Sequence, residues 1–447
     1  MDGAALRRFA PLLCGLVTYL VVVVEPDRTP TTDTSPGYYG ALTLACNGDF
    51  NLGRIPVVHE TANTTGVPYW AIISADGHAL LSTFGPAPAL LGRVALIGIT
   101  PGESVQAAPL KRRVQHVTGA ALGLSAAAAC LGALAHASAG FAIAASLVAA
   151  LSFAGAPVLG QGLWQQTAAL PFLMGGLAAA LWTGRSRLAT IAAPTLALLA
   201  ALIRPADAAL SLGILGVWLH LAREQSRRDL VVALGLAALC CTPLLTWNLV
   251  NMGTPLPIGQ WSSNARHTDK VFDLSPSHLG RAIVGLLASP ARGLIIFAPI
   301  AITSFIALVR TRERVARILA ASLLLQFLIA AMFFRWWGGV SFGPRLLAGA
   351  VWIAAVASAA HTAWWVRASA GVTLAVGLLG ILRYDSGTWE LPNQIDQHPE
   401  RAWQVVDSPL VALVTRRPPV ERPQQRRVIF CPFGAGGHWA IAVVPSE

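Results

Sequence analysis

Apolar runs of roughly 20 residues recur along the chain, which is the length an α-helix needs to cross the hydrocarbon core of a bilayer. They fall at 9–24, 114–135, 140–159, 167–182, 188–203, 206–221, 230–250, 294–309, 315–333, 346–366 and 368–382. The pattern predicts an all-α polytopic membrane protein, a bundle of about eleven transmembrane helices. The 188–221 region carries Arg204-Pro205 at its middle and reads equally as a broken or re-entrant pair. Between the first two runs lies a polar segment, 25–110, rich in Thr, Pro, Gly and Asp. Its one apolar piece, 86–100, is short and punctuated by proline, so it is expected to lie along the membrane surface as a juxtamembrane helix.

Charge sets the orientation. Arg7 and Arg8 precede the first run, and Glu25-Pro26-Asp27 after it is a poor peptidase context, so an uncleaved span with a cytoplasmic amino end is expected. The connectors around Arg185 and Arg187, Arg223 to Asp229 and Arg310 to Arg317 then fall inside, satisfying the positive-inside rule. The 25–110 loop, the 251–290 loop, the stretch 334–345 and the tail from Arg383 fall outside. Two units follow: a transmembrane domain, 1–382, and a small outer-face appendage, 383–447, whose alternating piece 439–444 predicts a short strand.

Composition agrees with a membrane class: 55% hydrophobic and 12% charged residues, with a mean hydropathy of +0.59. The net charge of +11 sits in connectors beside apolar runs, which argues for membrane lipids and against nucleic acid as the partner. Cys14, Cys130, Cys240 and Cys241 lie in apolar runs, while Cys46 and Cys431 lie in polar regions and are placed to pair in an oxidising compartment. No phosphate loop, nucleophile elbow or zinc helix occurs, and the ten histidines show no ligand spacing. The sequence demands no cofactor and leaves a divalent metal open.

The stretch 334–345 joins two arginines, three glycines and several aromatic rings between apolar runs. It reads as a site for an anionic lipid headgroup or as an aromatic belt with snorkelling arginines. Arg204, Arg292, Arg335 and Arg345 all fall near the outer surface, against the usual bias, and are candidate phosphate ligands. Asp33, nine residues past the first run (33 − 24), is the candidate general base, with a solvated carboxylate or helix cap as the plain alternative.

These residues resemble the GT-C superfamily of membrane glycosyltransferases, which includes protein O-mannosyltransferases and the lipid A aminoarabinose transferase. The motif Trp-Trp-Gly-Gly-x-Ser-x-Gly-Pro-Arg of a bacterial branch is present without a gap at 336–345. Asp33 with Tyr38-Tyr39, the stretches 47–50, 84–88 and 160–166, Ile203-Arg204-Pro205 and 289–294 resemble further family signatures in order, so the likeness covers about residues 1–350. Where the family has an Arg-Tyr pair after the loop acid, this chain has Tyr38-Tyr39. The resemblance implies transfer of a sugar from a polyprenyl-phosphate carrier to an acceptor hydroxyl on a glycan, glycolipid or protein, by a single inverting displacement. It implies a bacterial cytoplasmic membrane with the site facing the periplasm or exterior. Asp33 would then act as base and Arg345, with Arg335 or Arg292, would hold the departing phosphate. Trp336 and Trp337 would stack on the sugar or mark the interface. A transporter or flippase of a lipid-linked sugar is the alternative, disfavoured because no paired repeat is visible. A non-catalytic assembly protein ranks third.

Overall fold

The computed structural model describes residues 3–25, 32–99, 104–257, 270–384, 389, 393–415, 427–430 and 441–444. Among them, seven helices are long and apolar enough to cross a membrane: Ala4–Val24, Leu110–Ala133, Ala139–Leu159, Pro205–Glu224, Arg227–Met252, Arg314–Met332 and Trp364–Arg383. Three shorter apolar helices, Arg187–Ile203, Pro299–Arg310 and Arg345–Ser358, stand with them, and Gln165–Leu181 occupies the stretch expected at 167–182. The fold class is all-α, as the periodicity implies, but several expected spans are not single full-length rods.

Three expected spans are interrupted, the first being 140–159, which leaves the helix at residues 152–155 between Ala139–Leu151 and Ala156–Leu159. The run expected at 294–309 breaks into Leu294–Phe297 and Pro299–Arg310, with Ala298 at φ −153°, because the residue before a proline is driven out of the helical region. The run expected at 346–366 stops early at Ser358, and the next helix starts at Trp364. The eleven residues of Ala348–Ser358 rise only about 16 Å, half a bilayer core. The predicted break at Arg204-Pro205 is present, as a 3-10 turn, Pro205–Asp207, between Arg187–Ile203 and Ala208–Leu221.

Small residues set the packing distances. A Cβ on Gly123 would lie 2.8 Å from the Gly15 carbonyl, so the first two spans touch backbone to backbone. Ala139–Leu159 is the most enclosed span, with 83% of its apolar window buried. Arg227–Met252 instead exposes Val231, Leu234, Leu239 and Val250, the face expected to meet lipid.

The segment after the first span folds on its own small core of Leu42, Cys46, Leu52, Ile55 and Val58. Helix Ser35–Asn47 ends on Gly48, whose φ of 72° is the left-handed cap that glycine adopts without strain. A hairpin pairs Ala71–Ile73 with Leu80–Ser82. Helix Ala87–Ala95 turns Pro88, Ala89, Gly92 and Ala95 inward and leaves Leu90 and Val94 exposed, the two-faced pattern of a surface-lying helix. A three-stranded antiparallel sheet joins Ser104–Gln106, Arg427–Phe430 and Ile441–Val444, returning the chain's end to the end of the first loop.

Candidate active site

The stretch 334–345 is a loop pinned from several sides. Helix Arg314–Met332 ends at Phe333, and Gly338, Gly339 and Gly343 take φ of 74°, 71° and 79°, a region other residues enter only with strain. Arg292, fully buried, donates from Nε to the Trp337 carbonyl at 2.8 Å, from Nη1 to the Ala291 carbonyl at 2.9 Å and from Nη2 to the Gly339 carbonyl at 2.8 Å. Phe342 meets Phe297 edge-on at 5.1 Å. The loop then turns through Arg345–Leu347 into the short helix Ala348–Ser358.

That turn presents Arg345 to Asp33. The Asp33 carboxylate forms an ion pair with Arg345 Nη2, the side chains being only 12% and 13% exposed. Tyr69 donates its hydroxyl to the other carboxylate oxygen. Arg345 stacks over the Trp164 ring, 4.6 Å from its centroid, and its Nε is buried with no hydrogen-bond partner among the described residues. Trp164 is held by its indole donating to the Val158 carbonyl at 2.9 Å. Close approach depends on glycine: a Cβ on Gly162 would lie 2.7 Å from Thr34 Cγ2, and one on Gly37 would lie 2.9 Å from the Leu163 carbonyl. The segment 160–166 is thereby pressed against the turn that carries Asp33.

Above the pair opens a cavity of about 160 Å³. The segment 32–99 contributes Asp33, Tyr69, Thr83 and Phe84; helix Arg314–Met332 contributes Gln326 and Ile329; the loop 334–345 contributes Arg335, Gly338 and Gly339. Gln394 and Asp396, from the segment after the last span, complete the wall. Asp396 accepts from Trp337 Nε1 at 2.8 Å and from Arg335 Nη1 at 3.2 Å. A smaller recess lined by Asp33, Trp164, Gln166, Arg204 and Arg345 adjoins it. A separate apolar groove of about 190 Å³ is lined by Leu323, Leu324, Phe327, Leu347 and Val351. Helix Arg314–Met332 and the turn Arg345–Leu347 thus line both polar cavity and apolar groove.

The residues singled out in the sequence divide into two sets. Asp33, Arg345 and Arg335 meet in the cavity, and Arg204 lines the adjoining recess while paired with Asp207. Arg292 does not face the cavity; each of its three nitrogens is spent on a carbonyl, so its geometry is that of a strut for the loop. Trp336 is 2% exposed and packs on Gly285, where a Cβ would fall 2.2 Å from the indole, leaving no face for a sugar. Trp337 orients Asp396 through its indole N–H. Tyr38 and Tyr39 do not line the cavity: the helix Ser35–Asn47 directs them towards each other and Trp70, at ring distances of 6.1 and 6.3 Å. Burial pushes both phenols above their ordinary range.

Tyr69, Gln326, Gln394 and Asp396 escaped sequence reasoning, whereas Trp164 lies in the stretch 160–166 that resembles a family signature. Only Gln326 carried a usable signal, a lone amide in the apolar helix Arg314–Met332. Asp49, in the stretch 47–50 that resembles a family signature, is paired with Arg54 at 2.8 Å. Cys46 is disulfide-bonded, whereas Cys431 lies outside the described residues. Among the described residues, no group of three or more His, Cys, Asp or Glu side chains gathers as for a metal ion.

No protein-family model matches the chain, and no curated protein matches it. Among solved structures it is similar to the oligosaccharyltransferase of Archaeoglobus fulgidus in its apo form, at 14% identity and a TM-score of 0.41. The match covers 89% of this chain and 60% of that one, so the chain spans under two thirds of its neighbour's length.

Proposed function

We propose that the chain is a membrane glycosyltransferase of GT-C type that moves a sugar from a polyprenyl-phosphate carrier to an acceptor hydroxyl at the outer face of the cytoplasmic membrane. The observation that carries this reading is the Asp33–Arg345 ion pair beside a cavity, with Arg345 Nε buried and unpartnered. A guanidinium holding one carboxylate and keeping a donor in reserve suits a phosphate oxyanion.

The chemistry needs a base and an anion stabiliser close together. The acceptor oxygen attacks the anomeric carbon, its proton passes to Asp33, and the carbon–oxygen bond to the phosphate breaks. The bonding pair leaves with the polyprenyl phosphate, whose added charge falls to Arg345. Because Arg345 begins paired with Asp33, the arriving phosphate takes over the guanidinium and releases the carboxylate to act as base. Tyr69 holds the other carboxylate oxygen meanwhile. The apolar groove shared through Arg345–Leu347 suits the isoprenoid tail. The test is a mass-spectrometric transfer assay on the purified protein in lipid discs, offered polyprenyl-phosphate sugars and envelope glycans. Sugar appearing on an acceptor is the expected result; carriers left intact across a broad panel would reject the reading.

A further inference from the structure

The cavity holds a second set of polar groups that acid–base and phosphate chemistry leave unused. Asp396 and Gln394 come from the segment after the last span, and Gln326 from the helix Arg314–Met332. Asp396 is fixed rather than mobile: one oxygen accepts from Trp337 Nε1 at 2.8 Å, the other from Arg335 Nη1 at 3.2 Å. Its side chain remains 25% exposed at the cavity wall. Gln326, 1% exposed, donates from Nε2 to the Ala206 carbonyl at 2.8 Å, while its Oε1 is buried without a partner among the described residues.

The supporting segment is itself anchored. Arg401 donates to Asp407 Oδ2 at 2.6 Å and to the Trp389 carbonyl at 2.9 Å, and lies 4.6 Å from the centroid of the Trp389 ring. Arg292 lies 5.1 Å from the same centroid. The strut of the motif loop and the anchor of the tail segment therefore share one indole.

We infer that Asp396, with Gln394 and Gln326, forms a binding site for the hydroxyl groups of a sugar ring, so that the segment after the last span selects the sugar. A carboxylate and two amides in a protein-lined cavity supply the fixed acceptors that hydroxyl donors need. Arg335 is neutralised by Asp396, so it adds orientation without drawing the phosphate away from Arg345. A site built to hydrogen-bond a hydroxyl discriminates steeply against a ring lacking it, because its buried polar groups are then left unpaired.

The inference rests on the glycosyltransferase reading and is tested separately from it. The full chain in lipid discs is assayed with Asp396→Asn and Gln326→Leu against wild type, using donors and acceptors that differ by one deoxy or epimeric position. Wild type is expected to prefer one fully hydroxylated ring over its deoxy analogue by roughly 10- to 100-fold in kcat/KM, and Asp396→Asn and Gln326→Leu to lose most of that preference, read as the ratio of the two kcat/KM values within each variant. Loss of preference in the donor series places the ring on the carrier; loss in the acceptor series places it on the acceptor. Both variants keeping wild-type discrimination in both series, with transfer intact, would overturn the inference. Absence of transfer by the wild type would instead reject the glycosyltransferase reading. Should Asp396→Asn unfold, Gln326→Leu carries the same comparison.

Discussion

Asp33 and Arg345 form an ion pair that joins the turn after the first span to the turn before a late short helix. Two segments distant in sequence meet there, and the chemistry proposed for the molecule is shared between their charges.

Arg345→Lys separates charge from shape. A lysine keeps a cation beside Asp33 but loses the fork that serves carboxylate and phosphate together, and with it the planar stack on Trp164. We expect the variant to fold, to melt somewhat lower because the stack is lost, and to lose about 10- to 100-fold in kcat/KM. Steady-state transfer kinetics beside a thermal melt check both halves.

Gly339→Ala tests the spacing of the loop. The residue has φ 71°, and an added Cβ would lie 3.1 Å from Arg345 Nη2 and 3.7 Å from Asp396 Oδ2. The backbone cost is about 1–2 kcal/mol, and the methyl intrudes between the two ion pairs. Gly48→Ala is the control, since it has φ 72° and nothing within 4 Å of its Cβ. Both variants should melt lower by a similar amount, and only Gly339→Ala should lose transfer.

Arg292→Lys distinguishes a strut from a ligand. A lysine cannot reach all three carbonyls that Arg292 serves, so a loss of about 3 kcal/mol in stability is expected. Donor KM for the folded fraction should stay within about twofold of wild type. A large rise in donor KM without a change in the melt would return Arg292 to the phosphate site.

Much of this was legible in the sequence where one physical demand dominates. Leu110–Ala133 had to be a helix because its backbone groups have no other partners in hydrocarbon. The Gly-rich, Arg-bearing pattern at 336–345 pointed to the site because glycines allow close approach and guanidinium groups beside apolar runs need an anionic partner. The break at 359–363 was hidden, since alanine suits a helix and a turn alike and only His361 and Thr362 interrupt the apolar run there. Tyr69 looked like any loop tyrosine, and its meeting with Asp33 depends on how the outer segment folds. Asp396 lies beyond the residues that the family likeness covers, so only its contacts with Arg335 and Trp337 reveal it.

The most direct test of the central claim is Asp33→Asn, measured for sugar transfer and for binding of the polyprenyl-phosphate donor on the same preparation in lipid discs. Removing a general base costs typically 10²- to 10⁴-fold in rate, so transfer should fall by about that factor. Donor binding should be retained or strengthened, because Arg345 no longer has a carboxylate to release. Transfer at the wild-type rate by Asp33→Asn would contradict the account.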